Sequence, residues 1–126
     1  MSTQFKVVAK RNPQDATAPP KYYPSVQSTG RLTLRQLARR ISEFSTVSSA
    51  DTMAVLEGLL TVIPVELSNG NIVELGDFGS FWLRIQSKGV VVETELTSRH
   101  IKNTLPRFTP GKEFKQVLAG IEYRKA

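Results

Sequence analysis

The chain has 126 residues, and seventeen Lys and Arg against eleven Asp and Glu give it a formal charge of +6 and a pI near 9.9. That is room for one domain with a modest core, and the positive balance suits a polyanionic partner. With no cysteine and a single histidine, disulfides, thiolate metal sites, cysteine nucleophiles and histidine-based metal clusters are excluded.

The opening residues Met1–Lys6 carry no apolar stretch of signal-peptide length, and no run reaches the roughly 18 apolar residues of a membrane span. The expectation is a cytoplasmic protein with no membrane partner. Phe5-Lys6-Val7-Val8-Ala9-Lys10 alternates as a strand does, and Arg11-Asn12-Pro13 stops it. Four of the seven prolines fall between Pro13 and Pro24, which predicts an irregular or extended tether there.

Thr33-Leu34-Arg35-Gln36 has the capping-box pattern that opens a helix. Leu34, Leu37, Ala38, Ile41 and Phe44 form its apolar stripe, and Arg35, Arg39 and Arg40 its solvated face. Val47-Ser48-Ser49-Ala50-Asp51 starts a second helix, predicted to run to about Leu67 and to stop at Ser68-Asn69-Gly70. Pro64 removes an amide donor near its end, so a kink or a weakened last turn is expected. Met53, Leu56, Leu60, Ile63 and Leu67 line one side of this helix, with Val55, Leu59 and Val62 beside them. That is more apolar surface than one partner helix covers, which favours a dimer.

Ile72–Leu75 and Ser80–Ile85 read as strands around the turn Gly76-Asp77-Phe78-Gly79, with Phe78 and Phe81 as core candidates. From Gln86 to Glu95 the pattern is uneven: Lys88-Gly89 reads as a turn or arm element, and Val90-Val91-Val92 as a sheet segment or interface. Extended chain resumes from Ile101 to Phe108. Thr109 can cap and Pro110 can take the first position of a last helix, roughly Gly111 to Ala119, that buries Phe114, Val117 and Leu118.

Nothing along the chain assembles a catalytic constellation. His100 has no partner in the pattern, Glu74 and Asp77 flank a turn without a nucleophile, and Gly76–Gly79 lacks the lysine and following helix of a phosphate loop. No enzyme activity, cofactor, metal or small-molecule substrate is expected.

Three runs carry a family resemblance. Asn69-Gly70 leads into Val73-x-Leu75, then comes Phe78-Gly79-x-Phe81, then Pro106-x-Phe108-x-Pro110-Gly111-Lys112-x-x-Lys115. Their order and spacing resemble the HU/IHF family from about Leu32 to Leu118, and the residues ahead of the first helix resemble an extended subgroup. The resemblance implies an α+β fold: two N-terminal helices, a three-stranded antiparallel sheet with a β-arm, a short C-terminal helix and an intertwined homodimer, here with an extra N-terminal strand. It divides the chain into an extension, 1–31, and an HU-like domain, 32–126.

The function so implied is bacterial and nucleoid-associated: architectural DNA binding without sequence specificity, bending or compacting duplex through a basic saddle and β-arms in the minor groove. The DNA-binding set is Arg84, Lys88, Arg99, Lys102, Arg107, Lys112 and Lys115, set against Glu93, Glu95 and Glu113, and it is expected to hold most of the excess charge. Lys112 and Lys115 flank a helix start, where free amides also favour phosphate. One departure bears on bending. Family arms end in Arg-Asn-Pro, whose proline wedges between base pairs, whereas Ser87–Glu95 has no proline and two acids; the chain's Arg-Asn-Pro is Arg11-Asn12-Pro13, outside the matched region. Phosphate-dominated binding with weak or altered bending follows. The alternative is an HU-like dimer that has lost DNA binding and serves as a structural or protein-interaction module, with Arg84, Arg99 and Lys102 deciding between the two.

Overall fold

The structure, a computed structural model, describes all residues 1–126. Its elements in chain order are β1 (Ser2–Lys10), β2 (Lys21–Gln27), α1 (Leu34–Glu43), α2 (Ser49–Ser68), β3 (Val73–Glu74), β4 (Gly79–Ser87), β5 (Ile101–Pro110), α3 (Lys112–Ala119) and β6 (Glu122–Lys125). Short 3₁₀ turns occupy Gly76–Phe78, Glu93–Glu95 and Ser98–His100. Two compact units result: Met1–Thr33 with Val117–Ala126, and Leu34–Gln116.

The first unit is a sheet of order β2-β1-β6. β1 pairs antiparallel with β2, Phe5 opposite Val26 and Lys10 opposite Lys21, and parallel with β6, Ser2 beside Glu122 and Phe5 beside Lys125. The predicted tether therefore shrinks to the ten residues 11–20. The last four residues of the predicted stretch, Lys21–Pro24, belong to strand β2, and Pro24 sits there because β2 is an edge strand, where a missing amide donor breaks no ladder. In the connecting loop the Thr17 hydroxyl and amide donate to Asp15 Oδ1 at 2.6 and 3.1 Å, and these bonds hold its carboxyl below the usual range. The C-terminal strand β6 had no legible signal: Glu122-Tyr123-Arg124-Lys125 is four residues with no apolar alternation.

In the second unit, α2 starts where Ser48 Oγ accepts from the Asp51 amide at 3.1 Å. It ends in a Schellman cap, in which the Gly70 amide donates to Leu67 O at 3.0 Å and the Asn71 amide to Glu66 O at 3.1 Å. Gly70 adopts φ 87° to make that possible. The helix runs through Pro64 without a break, where a kink or weakened turn was expected. α1 stops at Glu43, one residue short of the predicted stripe, and leaves Phe44 on the surface. Within a single chain the two helices bury only Ala38, Thr52 and Leu67; Val55 is 70% exposed and Leu60 56%.

The second sheet has order β3-β4-β5, all antiparallel. Its core is four phenylalanines: Phe108 lies 5.0 Å from Phe81, 5.4 Å from Phe78 and 5.4 Å from Phe114, centroid to centroid, and Phe78 meets Phe114 edge-on at 5.2 Å. Tilted and edge-on contacts of this kind add about 1 kcal/mol each beyond area burial. Gly79 turns the chain into the cluster at φ 147°, and a Cβ there would stand 2.5 Å from Thr109 O and 2.7 Å from the Phe108 ring. Gly111 is held in the same way, its amide donating to Phe78 O at 2.8 Å, and a Cβ there would collide with the Asp77 carbonyl. Pro110 does not open α3 as expected. It closes β5 opposite Gly79, and the helix begins at Lys112.

Candidate nucleic-acid interface

Opposed residues of an antiparallel pair share one face of the sheet, so the β4–β5 register assigns every side chain to a side. Phe81 opposite Phe108 and Leu83 opposite Pro106 point with the aromatic core. Ser80 opposite Thr109, Trp82 opposite Arg107, Arg84 opposite Leu105 and Gln86 opposite Asn103 make the other face. Arg84 and Arg107 thus stand diagonally across the strands, and both line an open concavity of about 440 Å³ with Gln86 and Leu105 and no carboxylate. The polar framework around them is bonded to itself: Trp82 Nε1 donates to Thr109 Oγ1 at 2.7 Å and Asn103 Nδ2 to Gln86 Oε1 at 3.3 Å. Two guanidiniums held on a strand pair, free of acidic neighbours in the lining, suit phosphate oxygens.

The remaining predicted residues fall into two further groups. The Lys88 amide donates to His100 O at 3.2 Å, which brings the end of β4 to the Ser98–His100 turn carrying Arg99. That turn is closed by His100 Nδ1, which accepts from the Thr97 amide at 3.0 Å. Lys102 occupies a β-bulge: Gln86 faces Asn103 and Ser87 faces Ile101, so Lys102 has no residue opposite it. Lys88, Arg99 and Lys102 therefore lie at the distal end of the β4–β5 ribbon, and the chain between Lys88 and Arg99 carries the exposed Glu93–Glu95 turn. Lys112 and Lys115 sit three apart in the first turn of α3, a spacing that puts them on one side. All seven are exposed.

One expectation is corrected here. Val90-Val91-Val92 is not a sheet segment: β4 ends at Ser87, and Val91 stands fully in solvent. The stretch from Arg84 to Lys115 does net +4, as expected, but the N-terminal unit is as strongly charged. Met1–Thr33 with Val117–Ala126 holds seven Lys and Arg against Asp15 and Glu122, a net +5 of the chain's +6. The seven residues from Arg84 to Lys115 are offset by acids elsewhere in their own unit, which nets +1. Sequence reasoning also passed over Trp82, Gln86, Asn103 and Thr109, although the period-two run Trp82-x-Arg84-x-Gln86 already marks one strand face.

The model of the family described as an HU domain fused to a wHTH, Ig or glycine-rich motif matches residues 1–125. The chain belongs to this HU family. The DNA-binding protein HU of Thermotoga maritima is 29% identical over 87 residues, 68% of this chain and 97% of that protein. Among solved structures, a putative bacterial DNA-binding protein from Bacteroides vulgatus superposes with a TM-score of 0.66 at 13% identity, over 98% of this chain. The chain spans about half of that protein, 47%. Anabaena HU in a DNA cocrystal superposes with a TM-score of 0.56 at 24% identity, over 71% of this chain and 99% of its own. At these identities the structural likeness concerns the HU fold. No helix of the HU-family chain is long and apolar enough to cross a membrane.

Proposed function

We propose that this HU-family protein is a nucleoid-associated homodimer that binds duplex DNA without sequence specificity, through the polar face of β4 and β5, and acts architecturally by bending or compacting it. The observation that carries this reading is the Arg84–Arg107 pair on an open strand face whose lining holds no carboxylate. The HU of Thermotoga maritima and the Anabaena HU–DNA complex support it by family and fold. Dimerisation is supported by α1 and α2, which leave the Val55, Leu59 and Val62 stripe exposed in a single chain. Lys88, Arg99 and Lys102 at the ribbon end, and Lys112 and Lys115 on α3, extend the phosphate contacts. Residues 88–100 contain no proline, so the duplex is gripped by charge and deformed weakly or in an altered way, with no proline wedge.

Fluorescence anisotropy with a labelled random-sequence duplex and a four-way junction, titrated across salt, tests this. Log-log salt dependence is expected, and Arg84→Glu/Arg107→Glu is expected to flatten the slope by about 2 for each protomer engaged. Absence of binding at low salt would overturn the reading and point to the same dimer as a protein-interaction module.

A further inference from the structure

The β2-β1-β6 sheet is two-sided in a way that the HU-like part of the chain does not require. Its register puts Phe5, Val7, Tyr22, Pro24, Val26 and Tyr123 on one side. Gln4, Lys6, Lys10, Lys21, Ser25, Tyr23 and Arg124 fall on the other. Of the unit's three strand-borne lysines besides Lys125, all lie on this second side, as does Arg124, and Glu122 is the one acid that accompanies them. Lys6, Lys10, Lys21 and Arg124 are all exposed. A solvated strand face ordinarily balances the two signs; this one carries four cations against the single acid Glu122.

The placement is ordered as well as charged. Lys10 and Lys21 are directly opposite, Lys6 lies four residues back along β1, and Arg124 is beside Gln4, two residues further. At about 3.3 Å per residue the cations occupy a band roughly 20 Å long, less than the ~34 Å of one duplex turn, so several phosphates of one groove edge lie within its reach. Lys10 Nζ is 5.6 Å from the Tyr23 ring centroid, which steadies that side chain while leaving its ammonium in solvent.

We infer that this face, centred on Lys6, Lys10, Lys21 and Arg124, is a second binding surface for the DNA phosphate backbone, separate from the β4–β5 face. The inference rests on the DNA-binding reading above. It also accounts for why a unit with no part in that face carries net +5.

The test compares two variants of equal charge: Lys6→Gln/Lys21→Gln on the face, and Arg31→Gln/Lys125→Gln off it. Lys125 is placed on the apolar side by its pairing with Phe5, and Arg31 lies outside the strands. Anisotropy with a duplex of about 30 base pairs is measured across salt, with circular dichroism to confirm that both variants fold. The expected result is a salt slope lower by about 2 in the on-face variant, an affinity at least tenfold weaker at low salt, and a smaller change off the face. Equal effects of the two pairs, or no effect of either while the unmodified protein binds, would overturn the second surface and leave the β4–β5 face standing. Failure of the unmodified protein to bind would instead remove the DNA reading itself.

Discussion

The two three-stranded sheets of this HU-family protein solve different problems. The β3-β4-β5 sheet gathers the Phe78, Phe81, Phe108 and Phe114 rings into contact on its apolar side, which leaves Ile85 exposed further along, and turns a polar side with Arg84 and Arg107 outward. The β2-β1-β6 sheet is held by backbone pairing between distant parts of the sequence, down to the Ala126 amide donating to Phe5 O at 2.9 Å, and its apolar side keeps Tyr22, Val26 and Tyr123 exposed. A sheet with a packed aromatic core fixes the geometry of its outer face. A sheet without one can carry charge at high density, because little else depends on its side chains.

That contrast can be broken at several strengths. The largest effect is expected where neither sheet is involved. Val55→Glu/Val62→Glu places carboxylates on the helix stripe that a single chain leaves open, and should weaken self-association by about 4 kcal/mol, read as a monomer in sedimentation at micromolar concentration. A dimer of unchanged stability would put the interface elsewhere. Within the aromatic sheet, Phe108→Ala removes the ring that touches three others and should cost about 3 kcal/mol in urea unfolding. Gly79→Ala is smaller, about 2 kcal/mol, because a methyl at φ 147° meets Thr109 O and the Phe108 ring, part of which can give. Comparable losses from Phe5→Ala in the other sheet would show that the two sheets do not differ as described.

What could be read from sequence follows the same division. Helices α1 and α2, the glycine turn and β4–β5 were legible because each obeys a local rule: a capping serine, a Schellman glycine, period-two alternation. The family resemblance rested on those same residues. Residues 21–27 were hidden because Pro24 reads as a breaker, and only the edge position of β2 makes it harmless. β6 was hidden because its pairing with β1 spans nearly the whole chain, a contact no local pattern records. The candidate site was half visible: Arg84 and Arg107 were named as cations, but their position diagonally across one face needed the register. The charge of the N-terminal sheet was countable all along. Its concentration on one face became apparent only once β6 brought Arg124 beside β1.

The single tryptophan, Trp82, lies directly opposite Arg107 on the face assigned to DNA, and its fluorescence on titration with unlabelled duplex tests the central claim most directly. Quenching or a spectral shift that saturates with binding, and that Arg84→Glu/Arg107→Glu abolishes, is the expected result. Tight binding, established independently by anisotropy, with Trp82 emission unchanged would mean that the duplex lies elsewhere and that the β4–β5 face is not the interface.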